Sequence, residues 1–259
     1  MVDLIREQWE ANAQAFADLI SNKGTPHHQR ILNPCIEKLL GDVQGKSMLD
    51  AGCGEGYLSR FYAQKGAIVT GVDFSENLIE IAREKSKDTS VSFQVGNICD
   101  LEGFSESVFD VVLCNLVLLN VSCLSESMNE FNRILKHGGT LVFSIVHPAF
   151  NFYGPGSWEM GEKDPDTSRR KGLFFKVDDY MDEKEYERYW QKRDGERFPQ
   201  PITFYHRTIS TYVNALVNSS FQIEVMDEPV PNTSDDFFER EQRVPFFLVF
   251  KARKSDTIP

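Results

Sequence analysis

Leu49-Asp50-Ala51-Gly52-Cys53-Gly54-Glu55-Gly56 is an apolar strand end running into a glycine-rich turn, with a helix expected to open at about Tyr57. A backbone leaving a buried parallel strand must reverse tightly and let a ligand approach its amides, and glycine allows both because it has no Cβ. The helix that follows points free N–H groups at whatever binds there. A dinucleotide site needs G-x-G-x-x-G, the second glycine admitting the pyrophosphate and the third packing helix on strand. Here the third position of that pattern is Tyr57, which argues against NAD or FAD. The spacing suits a nucleoside without phosphates whose small charged tail lies against the amides; taken alone, a plain glycine-rich turn also accounts for it.

The sequence downstream adds context. About 20 residues beyond Gly52, where a ribose-binding acid is expected, the apolar run Ala67 to Val72 ends in Asp73, with Phe74 next, placed to lie on a purine face. A third run, Val91 to Val95, ends in Gly96-Asn97-Ile98, and a fourth, Phe109 to Cys114, ends in Asn115. Helical stretches separate these runs: Tyr57 to Gln64, then one capped by Ser75, then one reaching about Lys136 and closed by Gly138-Gly139. Sequential βα units of this kind build a parallel sheet covered on both faces, which binds ligands at the carboxyl ends of its strands.

In this ordered set the chain resembles the class I S-adenosylmethionine-dependent methyltransferases. The resemblance rests on DAGCGEG, GVDFS, GNICDL, FDVVLCN and RILKHGGTLVFS, and it covers roughly Lys46 to His147. Two residues depart from the usual pattern: Asn97 stands where an aspartate commonly meets the adenine amino group, and His137 replaces the proline of a K-P-G-G turn. The resemblance implies S-adenosyl-L-methionine as cofactor, held by Asp50, Gly52, Cys53, Gly54, Asp73, Phe74, Asn97, Ile98 and Asn115. It also implies a Rossmann-like, doubly wound α/β fold with helices on both faces of a seven-stranded, mostly parallel sheet whose last strand is antiparallel. Leu141 to Val146, Phe221 to Val225 and Phe246 to Phe250 supply the fifth to seventh strands.

The whole chain has 259 residues and is 41% hydrophobic, enough for a buried core. A net charge of -11, with a pI near 5.0, opposes a phosphate backbone and weighs against a nucleic-acid partner. Cys35, Cys53, Cys99, Cys114 and Cys123 show no C-x-x-C spacing and read as reduced, buried thiols of a cytoplasmic protein. No signal-peptide pattern opens the chain, and no apolar run approaches the roughly 18 residues of a membrane span.

Residues 1–44 are expected to form an N-terminal helical cap, 45–148 with 203–253 the cofactor-binding domain, and 149–202 an inserted substrate-covering lid. Within the cap, Leu4, Ile5, Trp9, Ala13, Phe16 and Ile20 recur at helical intervals. Trp9 and Phe16 dock the helix on the sheet, close over substrate, or do both. His27 and His28 begin the next helix; adjacent residues on a helix face different ways, so no metal site is expected from the pair. They mark either a solvated helix start or the substrate side. The lid mixes Tyr153, Trp158, Tyr186, Trp190 and other aromatics with dense charge, and one helix is expected near Glu183 to Lys192. So long an excursion is functional or disordered, and its aromatics favour function.

His147, closing the fifth strand, and His206, beyond the lid, are the candidate proton acceptors, because an imidazole titrates near neutrality. Tyr205 and Arg207 join Trp9, Phe16, Tyr153, Trp158 and both histidines as candidate substrate contacts. The function expected is methyl transfer by in-line displacement to an oxygen or nitrogen of a small, aromatic or hydrophobic acceptor, by a monomer or homodimer needing no metal. The alternatives are an RNA- or protein-directed methyltransferase, a nicotinamide-dependent oxidoreductase, and a non-catalytic S-adenosylmethionine-binding protein.

Overall fold

Residue alternation along the central strands assigns side chains to the two faces of one sheet. In β1 (Ser47–Ala51), Leu49 and Ala51 enter the cluster containing Met128, Phe131 and Phe143, while Met48 enters the one containing Ile36, Leu58 and Tyr62. The structure, a computed structural model, describes residues 2–20, 22–151, 154–166 and 170–255.

Helix α1 (Val2–Leu19) and α2 (Asn33–Leu40), the latter entered through a π turn at His28–Leu32, precede β1. Then come α3 (Tyr57–Gln64), β2 (Ile68–Asp73), α4 (Glu76–Lys85), β3 (Ser92–Val95) and β4 (Phe109–Asn115). Ser75 caps α4, its hydroxyl accepting from Leu78 N at 3.2 Å. Helix α5 (Leu124–Ile134) runs directly into β5 (Leu135–Val146). The expected glycine stop at Gly138-Gly139 is therefore a bulged excursion of a strand. The register against β4 slips between Phe109 and Val111, and Lys136 Nζ reaches back 2.9 Å to the Asp110 carboxylate.

Between β5 and the sixth helix the chain forms two antiparallel pairs, β6 (Gly156–Lys163) with β7 (Arg170–Val177), and β8 (Lys184–Arg188) with β9 (Ile202–His206). Strand β8 lies where a helix was expected. Its period is two: Tyr186 turns inward to stack on Phe204, with ring centroids 5.6 Å apart, and exposed charges flank it. Helix α6 (Ile209–Asn218), β10 (Phe221–Asp227) and β11 (Phe247–Lys254) complete the chain. The seven-stranded sheet has the order β10-β11-β5-β4-β1-β2-β3, with β11 antiparallel to both neighbours. This is the doubly wound arrangement expected from the sequence.

Helix α1 is tied to the rest by buried amides. Gln8 Oε1 accepts from Thr203 N and Oγ1, and Asn12 exchanges hydrogen bonds with the backbone of Gln200. Glu10 accepts from Glu76 N and Asn77 N, so α1 also caps α4. Cys99 and Cys123 are joined as a disulfide, with Cα atoms 5.9 Å apart, where the sequence reading has free thiols. The turn after β3 and the start of α5 bring them together, a proximity that spacing could not show. No helix among the described residues is long and apolar enough to cross a membrane.

Candidate functional site

The carboxyl ends of β1, β2 and β4 floor a cavity of about 1440 Å³. Its floor follows from the glycine turn. Gly52 and Cys53 N–H both donate to Val72 O, at 2.7 and 2.9 Å, which clamps the turn onto the end of β2. Gly52 adopts φ 76°, and a Cβ there would lie 2.3 Å from Val117 Cγ2. At Gly54, φ is 54° and a Cβ would lie 3.0 Å from Phe16 Cε1. A side chain at either position would press on a residue of the cavity wall, Val117 or Phe16, besides straining the backbone.

Asp73 supports the turn from the next strand. Its Oδ2 accepts from Gly54 N at 2.9 Å and its Oδ1 from Ser75 N at 3.0 Å. Burial raises its carboxyl to about 6, against the hydrogen bonds from Ser75 and Gly54, which favour the charged form. Asp50 is likewise raised to about 6, chiefly by burial, while accepting from Ser59 Oγ at 2.5 Å. Two desolvated acids thus line one end of the cavity without an ion pair among the described residues, an arrangement suited to donors brought by a ligand.

Phe74, Asn97, Ile98 and Asn115 line the same end. Asn97 is fixed by its own loop: its Oδ1, the atom that the sequence reading offers to an adenine, accepts from Cys99 N at 3.0 Å. Asn115 Oδ1 accepts from Ser144 Oγ at 2.7 Å, which fixes its orientation from the neighbouring strand. Glu55 also borders the cavity but is already neutralised, pairing with Arg60 and Lys85, both at 2.9 Å.

The other end is aromatic. Trp9, Phe16 and Trp190 meet at centroid separations of 5.3 to 6.3 Å, and Trp158 packs edge-on against Phe175 at 5.4 Å. Phe150, Phe204, Phe246 and Phe247 continue the wall. Residues that the sequence reading passed over also lie here: the segment before β11 contributes Asp236, Phe237, Glu239, Arg240 and Glu241. Its Phe237-Phe238 and Phe246-Phe247 pairs were the available signal. His27 and His28 line the cavity too, the second of the two places the sequence reading left open for them.

Four of the candidate substrate residues lie elsewhere. His147 is 2% exposed; its Nε2 bonds Glu228 Oε1 at 2.8 Å and its Nδ1 accepts from Ala149 N at 3.1 Å. Burial also lowers its pKa, against the pull of Glu228. His206 is 5% exposed and donates through Nε2 to Tyr180 O at 2.8 Å. Neither ring lines the cavity, because each strand end turns its histidine into the protein. Arg207 donates to the carbonyls of Leu118, Val121 and Ser122, and its guanidinium lies 4.9 Å from the Tyr205 ring. Arg207 and Tyr205 therefore brace the loop that carries Leu119 and Asn120 to the cavity, and do not face the cavity themselves. Tyr153 lies outside the described residues. No cluster that could hold a metal ion occurs among the described residues.

A methyltransferase domain model matches residues 49–143, the segment that supplies the glycine turn and the first four strand ends. An uncharacterized protein of Haemophilus influenzae is 32% identical over 239 residues, spanning 86% of this chain and 89% of that one. A ubiquinone biosynthesis O-methyltransferase of Coxiella burnetii is 33% identical over 147 residues, 53% of this chain and 62% of that enzyme. Among solved structures, an S-adenosylmethionine-dependent methyltransferase from Mesorhizobium loti superposes with a TM-score of 0.67 at 27% identity, covering 85% of this chain and 96% of that one.

Proposed function

Since the chain belongs to the class I S-adenosylmethionine-dependent methyltransferases, we propose that its acceptor is a small aromatic or hydrophobic metabolite, methylated on oxygen or nitrogen in the cytoplasm. One observation carries this reading: the cavity continues from its acidic, glycine-floored end into a chamber walled by Trp9, Phe16, Phe150, Trp158, Phe175 and Trp190. Flat apolar walls suit a flat apolar acceptor. The similar ubiquinone biosynthesis enzyme, an O-methyltransferase, favours oxygen over nitrogen.

The residues at the acidic end fit the cofactor. Gly52 and Gly54 let the turn adopt its left-handed conformation without pushing on Val117 and Phe16 of the cavity wall, and Asp73 is a buried carboxylate suited to accept from ribose hydroxyls. Phe74 and Ile98 offer apolar faces to the adenine, while Asp50, Cys53, Asn97 and Asn115 complete the enclosure. S-Adenosylmethionine supplies an electrophilic methyl group on a positively charged sulfur. What remains for the protein is to align the acceptor and to exclude water, both of which lower the barrier without a covalent enzyme intermediate. Trp9 and Phe16 from α1, with the β6–β9 insertion acting as a lid, perform that exclusion.

Equilibrium dialysis with S-adenosylmethionine, followed by S-adenosylhomocysteine release across a panel of phenols, amines, RNA and peptides, tests the proposal. Turnover confined to RNA or polypeptide would refute it.

A further inference from the structure

The aromatic end of the cavity contains a histidine–carboxylate pair that neither the cofactor end nor the scaffold accounts for. His27 Nε2 lies 3.2 Å from Glu241 Oε1. Burial pushes the Glu241 carboxyl up, but the bond from His27 and the charge of Arg240 outweigh it and hold the group below its ordinary range. Glu241 is therefore an acceptor only, so the proton of the neutral imidazole resides on Nε2 and is donated to it. Nδ1 keeps its lone pair, and among the described residues no hydrogen bond is made to it. The second carboxylate oxygen, Oε2, is buried and also without a hydrogen-bond partner.

The surroundings suit a base that works out of water. Phe237, Phe238, Phe246 and Phe247 enclose the His27 ring, with centroids 5.4 to 6.4 Å away. Glu241 is placed to balance the imidazolium formed when the ring takes a proton. The neighbouring histidine carries its proton on the same nitrogen, but its Nδ1 is already taken. His28 Nδ1 accepts from Thr25 N at 3.2 Å, which puts its proton on Nε2, and burial lowers its pKa to about 4, so it remains a neutral donor. Besides the acids of the cofactor end, the charged groups lining the cavity with His27 are Asp236, Glu239, Arg240 and Glu241 on the segment before β11 and Asp164, Arg170 and Lys171 at the facing ends of β6 and β7, with His28 on its own turn.

We propose that His27, oriented by Glu241, is the general base of this site, and that the acceptor is a planar compound with a weakly acidic hydroxyl, a phenol or an enol. This rests on the small-acceptor reading above. In the step, the hydroxyl proton passes to His27 Nδ1 and the oxygen bonds the methyl carbon. The carbon–sulfur bond breaks with its electron pair left on sulfur, and the imidazolium returns its proton to solvent. His147 and His206 have no part in it.

A binding measurement tests the assignment without knowledge of the natural acceptor. With the protein saturated in S-adenosylhomocysteine, 4-nitrophenol is titrated and its phenolate absorbance followed against pH. The wild-type protein is expected to bind the probe and to ionise it about one pH unit below its value in free solution, a tenfold gain in phenolate. His27→Ala abolishes that shift and Glu241→Gln reduces it, while both retain wild-type S-adenosylmethionine uptake by dialysis, which also shows that they fold. Failure of the wild-type protein to bind 4-nitrophenol, or a full shift surviving in His27→Ala, overturns the proposal. Loss of S-adenosylmethionine uptake by the wild-type protein would be a failure of the cofactor reading instead.

Discussion

Asp73→Asn separates the two roles that the structure gives this side chain. The carboxylate accepts from Gly54 N and from Ser75 N, and an amide can accept only one of the two while turning its NH₂ toward the other N–H. One bracing bond is lost, at a cost of about 1 kcal/mol, partly offset because no charge is then buried. The larger effect falls on the cofactor. Loss of charge-assisted bonds to ribose hydroxyls is worth about 1.5–3 kcal/mol, or roughly 10- to 100-fold in Kd. A second signature lies in the pH dependence. The folded pKa of about 6 is raised above the ordinary 3.8, so the charged form is disfavoured and the free protein binds a proton as pH falls through 6. Ionised fractions of roughly nine-tenths at pH 7 and one-tenth at pH 5 predict a roughly tenfold loss of affinity across that interval, with proton release on binding near pH 6. Calorimetric titration with S-adenosylmethionine from pH 5 to 8, in two buffers of different ionisation heat, measures both quantities. Asp50 titrates in the same window, so Asp50→Asn is the control that apportions the slope. An Asp73→Asn protein with the wild-type Kd and the wild-type pH slope would refute the assignment.

Gly52→Ala places a Cβ 2.3 Å from Val117 Cγ2 at a left-handed backbone position. It should cost about 1–2 kcal/mol for the conformation alone and abolish cofactor uptake, with the circular dichroism of the fold retained. Glu55→Gln leaves Arg60 buried without its carboxylate partner; about 3–5 kcal/mol is at stake, and thermal unfolding should fall by roughly 10 °C. His147→Gln removes a buried ring with two hydrogen bonds and should lower stability by about 1–3 kcal/mol in urea unfolding, while S-adenosylmethionine affinity stays at wild type. For the cofactor-free protein, the raised carboxyls of Asp50 and Asp73 make the fold less stable above pH 6 than near pH 4 on their account. That component should disappear from the pH dependence of unfolding in the Asp50→Asn, Asp73→Asn double variant.

The local sequence carried the sheet and its cofactor end. Glycines at 52 and 54, an acid ending the next apolar run and asparagines ending the two after it lie at strand ends, and parallel strands joined by crossovers, helical except between β3 and β4, deliver their ends to one edge. Period and position suffice for such features, because the chemistry lies within a few residues of the strand that presents it. Strand β8 escaped the same reasoning: its charged residues have little preference of their own, and one stacked pair, Tyr186 on Phe204, decides its period.

The acceptor end depended on distance along the chain. His147 follows β5 of the main sheet and His206 closes β9 of the insertion, yet Glu228 and the Tyr180 carbonyl take their nitrogens, partners 81 and 26 residues away. His27 comes to the cavity only because Glu241, 214 residues later, and two phenylalanine pairs fold around it. Sequence alone thus fixed what each strand end presents, since backbone alternation is a local property. Which histidines remain available to a ligand was left to tertiary packing, because a ring's freedom depends on which distant donors, carboxylates and aromatic faces reach it first.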